Sequence, residues 1–158
     1  YINRASTVVC YGYLNSHILA EYLGDSLVEL GVQAISVDDF VQAKRRILML
    51  DPTRDVVIVI SKSGEKAEPV GIAEYAQSLH IPVISISDAA GNSLSKKSDI
   101  HLKILEDDNR STPAPAMGTF AGVLFALDAL TMCIFQLDRK RYQKSYGESL
   151  VAAFSARR

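Results

Sequence analysis

The chain has 158 residues, of which 48% are apolar and 22% are charged, and its net charge at pH 7 is −1. This length and composition predict a single globular domain over residues 1–158 with a sizeable core. Because the net charge is close to zero, the chain lacks the overall field that would attract nucleic acid or an anionic membrane.

Cysteine usage and the start of the chain bear on its cellular context. Cys10 and Cys133 lie far apart in the sequence, and we expect two reduced, buried thiols rather than a disulfide. We see no signal peptide and expect a cytoplasmic protein. Because the first residue is tyrosine rather than methionine, we expect the chain to be a piece of a longer protein.

The first half of the chain alternates between predicted strands and predicted helices. In chain order, the elements are a strand at 7–11, a turn at 12–16, a helix to about residue 30, a strand at 33–37, a helix over 40–49 and a strand at 55–60. Asp38 or Asp39 can cap the second helix. The five consecutive apolar residues 56–60 are typical of a strand buried on both faces of a parallel sheet.

The second half continues the alternation and ends in two helices. In chain order, the elements are a helix from near Lys66 to about residue 80, a strand at 82–86, a loop in which Ser93 caps a short helical turn, a strand at 100–104, a polar loop at 106–115, and helices over 117–137 and 139–154. Strands alternating with helices predict a five-stranded parallel sheet covered on both faces. The turns after the first, third and fourth strands all fall on the edge where such sheets bind ligands.

The segment after the third strand has the features of an anion-binding loop. Residues 61–64 read Ser-Lys-Ser-Gly, and Pro69 is tolerated only in the first turn of the helix that follows. The loop therefore places two hydroxyls and a glycine at a helix N-terminus, where unpaired N–H groups and the helix dipole favour an anion. Phosphate is the anion we expect, although Ser61 and Ser63 would also suit simple helix caps.

Three motifs in this order resemble the sugar isomerase (SIS) domain family. The family pattern has Gly-x-Gly-x-Ser after the first strand and Ser-x-Ser-Gly-x-Thr after a later one, and this chain reads Gly-Tyr-Leu-Asn-Ser at 12–16 and Ser-Lys-Ser-Gly-Glu-Lys at 61–66. A Ser-x-Leu type segment is matched by Ser93 and Leu94. The resemblance covers about residues 5–105 and implies an α/β, flavodoxin-like three-layer sandwich that binds phosphosugars, usually as a dimer.

Within that family, the chain is most similar to the effector domain of RpiR/MurR-type transcription regulators. The cues are residues 38–42, the segment 93–100 and the two closing helices. The resemblance implies that a bound phosphosugar alters DNA binding by an N-terminal helix-turn-helix domain absent from this chain, within a homodimer or higher homo-oligomer. The ligand-binding residues it implies are Asn15, Ser16, Ser61, Lys62, Ser63, Lys66 and Ser93, where Asn15 would equally suit an Asx-turn.

Two positions depart from the family pattern. Leu14 replaces the second glycine of the first motif, and a leucine does not allow the close backbone approach that glycine allows. Lys66 replaces the threonine of the second motif, so a flexible point charge stands where the family has a hydroxyl. Lys62 and Lys66 would also suit solvated positions. The site is therefore either altered in its ligand or partly decayed.

Two other functions compete with the regulator interpretation. Residues 116–120 resemble the matching stretch of 6-phospho-3-hexuloisomerase, but an aldose–ketose isomerase needs a base, and no glutamate follows until Glu148. A domain that has lost its ligand and only dimerises is the third possibility. We expect no metal and no cofactor. The apolar helix 117–137 is expected to be a core or subunit-contact helix rather than a membrane span, because Asp128 lies at its middle.

Overall fold

The computed structural model describes residues 1–88, 91–104 and 117–155. Its strands are β1 (Thr7–Gly12), β2 (Gln33–Val37), β3 (Asp55–Ile60), β4 (Val83–Ser87) and β5 (Ile100–Lys103). All of them pair in parallel, in the order β2-β1-β3-β4-β5. This confirms the five-stranded parallel sheet expected from the sequence.

Five helices cover the two faces of the sheet. They are α1 (Asn15–Glu29), α2 (Phe40–Ile47), α3 (Ala67–Ser78), α4 (Met117–Leu137) and α5 (Arg139–Ser155). The side chains of α1, α4 and α5 share one apolar cluster with the sheet, and those of α2 and α3 share the other. The flavodoxin-like three-layer sandwich is therefore confirmed. Short 3₁₀ turns at Ile2–Arg4 and Ser95–Lys97 complete the elements, and the loop expected at 106–115 lies outside the described residues.

The central strands explain the continuous apolar runs in the sequence. Along β1, Val8 and Cys10 face the cluster of α1, α4 and α5, whereas Val9 and Tyr11 face that of α2 and α3. Alternate side chains of a strand point to opposite faces, so a strand covered on both sides needs apolar residues at every position. Cys10 is buried as expected, but Cys133 is exposed, because one side of α4 is left uncovered.

One of the two expected helix caps is confirmed and the other is wrong. The Asp39 carboxylate accepts a hydrogen bond from the Gln42 N–H at 2.7 Å and caps α2. The short helical turn before β5 begins after Leu94, and no side chain caps it. The Ser95 N–H donates instead to the side-chain Oδ1 of Asn92 at 2.7 Å. Asn92 stands three residues before Ser95, a spacing at which an asparagine side chain can accept from a backbone N–H.

The turn between β1 and α1 contains an unusual backbone conformation. Gly12 is needed there because a Cβ would lie 2.2 Å from the carbonyl oxygen of Ser16. Leu14 has φ 55° and ψ −125°, a conformation that favours glycine. The backbone thus adopts a glycine-like conformation at the position of the family's second glycine although the residue is leucine, at a cost in strain of about 1–3 kcal/mol.

Leu14→Gly is expected to raise the free energy of unfolding by about 1 kcal/mol, because the strain released exceeds the extra backbone entropy that glycine loses on folding. The Leu14 side chain is 62% exposed, so little buried area is lost. Leu14→Ala is the matched control, since alanine removes the side chain but keeps the Cβ. Denaturant unfolding measures both, and an equal gain from alanine would contradict the strain explanation.

Asp55 ties the amino ends of two neighbouring strands together. Its carboxylate accepts hydrogen bonds from the Thr7 N–H and the Asp51 N–H, each at 2.8 Å. We expect Asp55→Ala to lower the free energy of unfolding by about 1–3 kcal/mol, because it leaves two backbone donors without these acceptors. The exposed Asp25 of α1 provides the control: Asp25→Ala should change stability by less than about 0.5 kcal/mol. Similar losses for both aspartates would argue against this role.

Candidate functional site

The sheet has its topological switch point between β1 and β3. From β1 the chain moves outward to β2 in one direction, and from β3 it moves to β4 and β5 in the other. The loops that leave β1 and β3 therefore diverge and leave a crevice at the carboxyl edge of the sheet. One of them leads into α1, and the other, residues 61–66, leads into α3 and is called the serine loop below.

A cavity of about 240 Å³ opens at this edge. Its polar lining comes from the start of α1 and from the carboxyl ends of β3 and β4: Asn15, Ser16, Ser61, Lys62, Ser87 and Asp88. Its apolar lining is Leu19, Ile60, Ile86, Phe120 and Val123. Small-molecule sites are typically about 300–1,000 Å³, and this cavity lies just below that range. It therefore suits one small ligand with a polar end and an apolar side.

The cavity brings together four of the seven residues predicted from the sequence. Asn15, Ser16, Ser61 and Lys62 line it, and Ser61 is only 3% exposed. The other three, Ser63, Lys66 and Ser93, lie outside its lining.

Those three side chains have other contacts in this structure. The Ser63 hydroxyl oxygen accepts a hydrogen bond from the Glu65 N–H at 3.3 Å. The Lys66 ammonium lies 5.4 Å from the centre of the Tyr13 ring, a cation–π contact across the β1 turn. Ser93 donates to the Glu65 carboxylate. These contacts connect the serine loop to the β1 turn and to the segment that follows β4.

Main-chain contacts hold the serine loop against the segment that follows β4. The Gly64 carbonyl accepts from the Leu94 N–H, and the Lys62 carbonyl accepts from the Asp88 N–H, each at 2.9 Å. Gly64 has φ +65°, and a Cβ there would lie 2.3 Å from the Asn92 side chain. Glycine is therefore required for the loop to pack this closely, and the packing gives the loop a defined shape before any ligand binds.

Sequence reasoning missed seven of the residues that line the cavity, among them Ser87, Asp88 and Phe120. Ser87 is buried, and its hydroxyl oxygen accepts a hydrogen bond from the Asn92 amide at 2.6 Å. Ser87 is the last residue of β4 and Asp88 follows it. Their position at the carboxyl edge of the sheet was a signal that could have identified them. Phe120 gave no such signal, because its place depends on how α4 packs.

Tyr11 lies close to this edge on the other face of the sheet. Its side chain is fully buried, and its hydroxyl has no hydrogen-bond partner among the residues that the structure describes. Burial raises the pKa of Tyr11 to about 12, and the Glu68 carboxylate adds to the shift. The hydroxyl therefore stays protonated at neutral pH and is not a general base.

Many known proteins are similar to this chain, and three of them illustrate the range. Arabinose 5-phosphate isomerase KdsD of Salmonella typhi is 27% identical over 136 residues, which are 85% of this chain and 41% of that enzyme. The chain thus spans about two fifths of the relative's length. The structure of Vibrio vulnificus NanR complexed with ManNAc-6P matches 98% of this chain and 58% of NanR, with a TM-score of 0.89 and 23% identity. The sugar isomerase domain of an RpiR transcription factor from Sphaerobacter thermophilus matches 94% of this chain and 80% of that one, with a TM-score of 0.79 and 20% identity.

The two structural matches are below 25% identity and establish the fold alone. The family follows from a separate match between the sequence and a model of the SIS domain, which extends over residues 1–133. That match covers most of the chain, including the turn at Gly12 and the serine loop with Gly64. The chain belongs to the SIS domain family.

Proposed function

We propose that this chain is the phosphosugar-binding effector domain of an RpiR-type transcription regulator. The observation that carries the proposal is the buried Ser61 at the head of the serine loop, which lines an open cavity at the switch point of the sheet. NanR, whose structure contains ManNAc-6P, and the RpiR domain share this fold, and this similarity supports both the ligand class and the regulatory role.

The polar end of the cavity suits a phosphate group. Ser61 and Lys62 supply a hydroxyl and a cation from the start of the serine loop, and α3 begins directly after that loop. Asn15 and Ser16 are the first two residues of α1 and line the cavity, so the positive end of α1 lies at the cavity. A helix N-terminus with hydroxyl donors beside it favours a dianion.

The rest of the cavity suits a sugar. The apolar side formed by α1, α4 and the strand ends can pack against the C–H face of a sugar ring. The Asp88 carboxylate, near the end of β4, can accept hydrogen bonds from sugar hydroxyls. A hexose phosphate, a pentose phosphate or an acetamido sugar 6-phosphate fits this description.

The regulatory step follows from coupling between ligand and dimer arrangement. We propose that this SIS domain is one part of a longer cytoplasmic regulator with an N-terminal helix-turn-helix domain. This chain matches only 58% of NanR, which is consistent with a further domain. The bound phosphosugar would favour one arrangement of the two subunits and so change DNA binding.

An uncovered apolar surface supports the homodimer. One side of α4 packs on the core through Val123, Leu127 and Ile134, but Phe125 is 75% exposed and Met132 is 57% exposed on the other. The segment Phe120–Leu137 is long and apolar enough to cross a membrane, and only 17% of it is buried in this structure. Most of this apolar helix is therefore not covered by the rest of the domain. Such a surface on a globular domain marks a contact with another chain.

Helices α1 and α5 also expose apolar side chains. The Tyr22 hydroxyl of α1 donates a hydrogen bond to the Asp128 carboxylate of α4, and Ile18 is exposed one turn before Tyr22. On α5, Val151 and Phe154 are exposed. A second copy of the chain is the partner we propose for this surface.

An isomerase is the second candidate function, and Asp88 favours it. The sequence predicted no base near the site, but Asp88 is one of the residues that line the cavity, whereas Glu148 lies outside that lining. KdsD, a relative of this chain, is named as an isomerase. A carboxylate beside a sugar carbon has the chemistry to move a proton between adjacent carbons. Turnover of arabinose 5-phosphate that is lost in Asp88→Asn would favour the enzyme over the regulator.

A ligand panel tests the proposed function. We expect sugar phosphates to raise the melting temperature of the protein and the matching unphosphorylated sugars to leave it unchanged, because the serine loop is suited to a dianion. Ser61→Ala should weaken binding about 5- to 150-fold, since it removes one hydrogen bond to a charged group. The control is Ser78→Ala at the far end of α3, which should bind normally. Equal responses to both classes of sugar, or none, would contradict the proposal.

The dimer is tested by breaking the exposed surface of α4. We expect Phe125→Glu to shift the protein toward the monomer in analytical ultracentrifugation, because a carboxylate would be buried at the proposed contact. Met49→Glu is the matched control and should leave the oligomeric state unchanged. Met49 is 81% exposed but follows α2, on the opposite face of the sheet. A dimer that tolerates Phe125→Glu, or a chain that is monomeric from the start, would refute this interface.

A further inference from the structure

The Glu65 carboxylate connects the serine loop to the segment that follows β4. Its Oε1 accepts a hydrogen bond from the Ser93 N–H at 3.1 Å, and its Oε2 accepts from the Ser93 hydroxyl at 2.5 Å. Both donors of one residue thus meet both oxygens of the other. Hydrogen bonds to a charged acceptor are stronger and more directional than neutral ones, so this contact constrains the loop although Glu65 is exposed.

The contact changes the role that Ser93 can have. The family resemblance places Ser93 at the rim of the site, but its side chain lies outside the cavity lining and its hydroxyl and N–H are both directed at Glu65. Ser93 would therefore affect ligand binding indirectly, through its hydrogen bonds to Glu65 in the serine loop. Ser61 and Lys62, which line the cavity, belong to that same loop.

Electrostatics alone does not account for Glu65. A carboxylate on a loop that binds a dianion is repelled by that ligand, so its charge by itself weakens binding. Positioning works in the opposite sense, because a loop already held in its binding shape does not have to be ordered when the ligand arrives. Removing the carboxylate would therefore strengthen ligand binding through the first effect and weaken it through the second.

We infer that Glu65 is a positioning residue for the phosphate subsite, holding the serine loop through Ser93 in the shape that presents Ser61 to the ligand. The inference rests on the proposed function, because it assigns the control of that same site. It predicts that deleting this side chain weakens the binding of a negatively charged ligand, although its charge by itself repels that ligand.

The experiment compares four variants of the full chain, titrated with inorganic phosphate and with N-acetylmannosamine 6-phosphate. Glu65→Ala is expected to weaken binding about tenfold and Ser93→Ala by less, because Ser93→Ala keeps the hydrogen bond from the backbone N–H. The double variant should bind no more weakly than Glu65→Ala, because the Ser93 hydroxyl acts through Glu65. Glu65→Gln keeps an acceptor oxygen for the Ser93 N–H and should retain most of the affinity.

Glu74→Gln provides the control. Glu74 lies on α3 and pairs with Lys97 at 3.1 Å, so it holds the same post-β4 region to α3 without touching the serine loop. This exposed pair should contribute little, and Glu74→Gln should bind within about twofold of the unmodified chain. Melting temperatures without ligand separate a loss of binding from a loss of stability, because affinities are compared only where every variant is folded.

The outcomes distinguish this inference from the proposed function. If Glu65→Ala binds phosphate as tightly as the unmodified chain, or more tightly, Glu65 acts only as a charge and the inference is overturned while the proposed function stands. If the unmodified chain binds neither compound, both are overturned. Should Glu65→Ala fail to fold, Ser93→Ala decides, because it removes only one hydroxyl and keeps the backbone N–H.

Discussion

The close contact between Gly64 and Asn92 is the constraint on which the site depends. A Cβ at position 64 would lie 2.3 Å from the Asn92 side chain, so only glycine lets the serine loop lie against the segment after β4. Asn92 is itself held by the Ser87 hydroxyl and the Ser95 N–H. This contact brings the loops that follow β3 and β4 together, and the cavity opens beside them.

The structure changes the interpretation of the two departures from the family pattern, Leu14 and Lys66. Leu14 keeps the backbone conformation that a glycine would adopt, and the ammonium of Lys66 packs on the Tyr13 ring. Neither change closes the cavity, and Ser61 still lines it. A domain kept only for dimerisation would not need a strained turn and a buried serine at an open cavity. An altered ligand therefore explains these residues better than decay does.

The same chain carries two surfaces with different chemistry. The carboxyl edge of the sheet gathers hydroxyls, a lysine and a helix N-terminus, which suits a small anion. The outer side of α4 exposes Phe125 and Met132, which suits another protein chain. Helix α1 connects the two, because Asn15 and Ser16 line the cavity and the Tyr22 hydroxyl bonds Asp128 of α4. The cavity and α4 are therefore linked through a single helix.

The sequence by itself determined the sheet, its two covered faces and the serine loop. These follow from local signals: β3 is apolar at every position because both its faces are covered, and Ser61 and Lys62 directly follow it. Tertiary structure alone decided that Asp88 lines the cavity, that Glu65 binds Ser93, that the Ser95 N–H donates to Asn92 rather than to Ser93, and that Cys133 is exposed. The physical reason is that each of these depends on which segments become neighbours in space, and residues 28 positions apart, such as Glu65 and Ser93, leave no periodic or local pattern that reveals their contact.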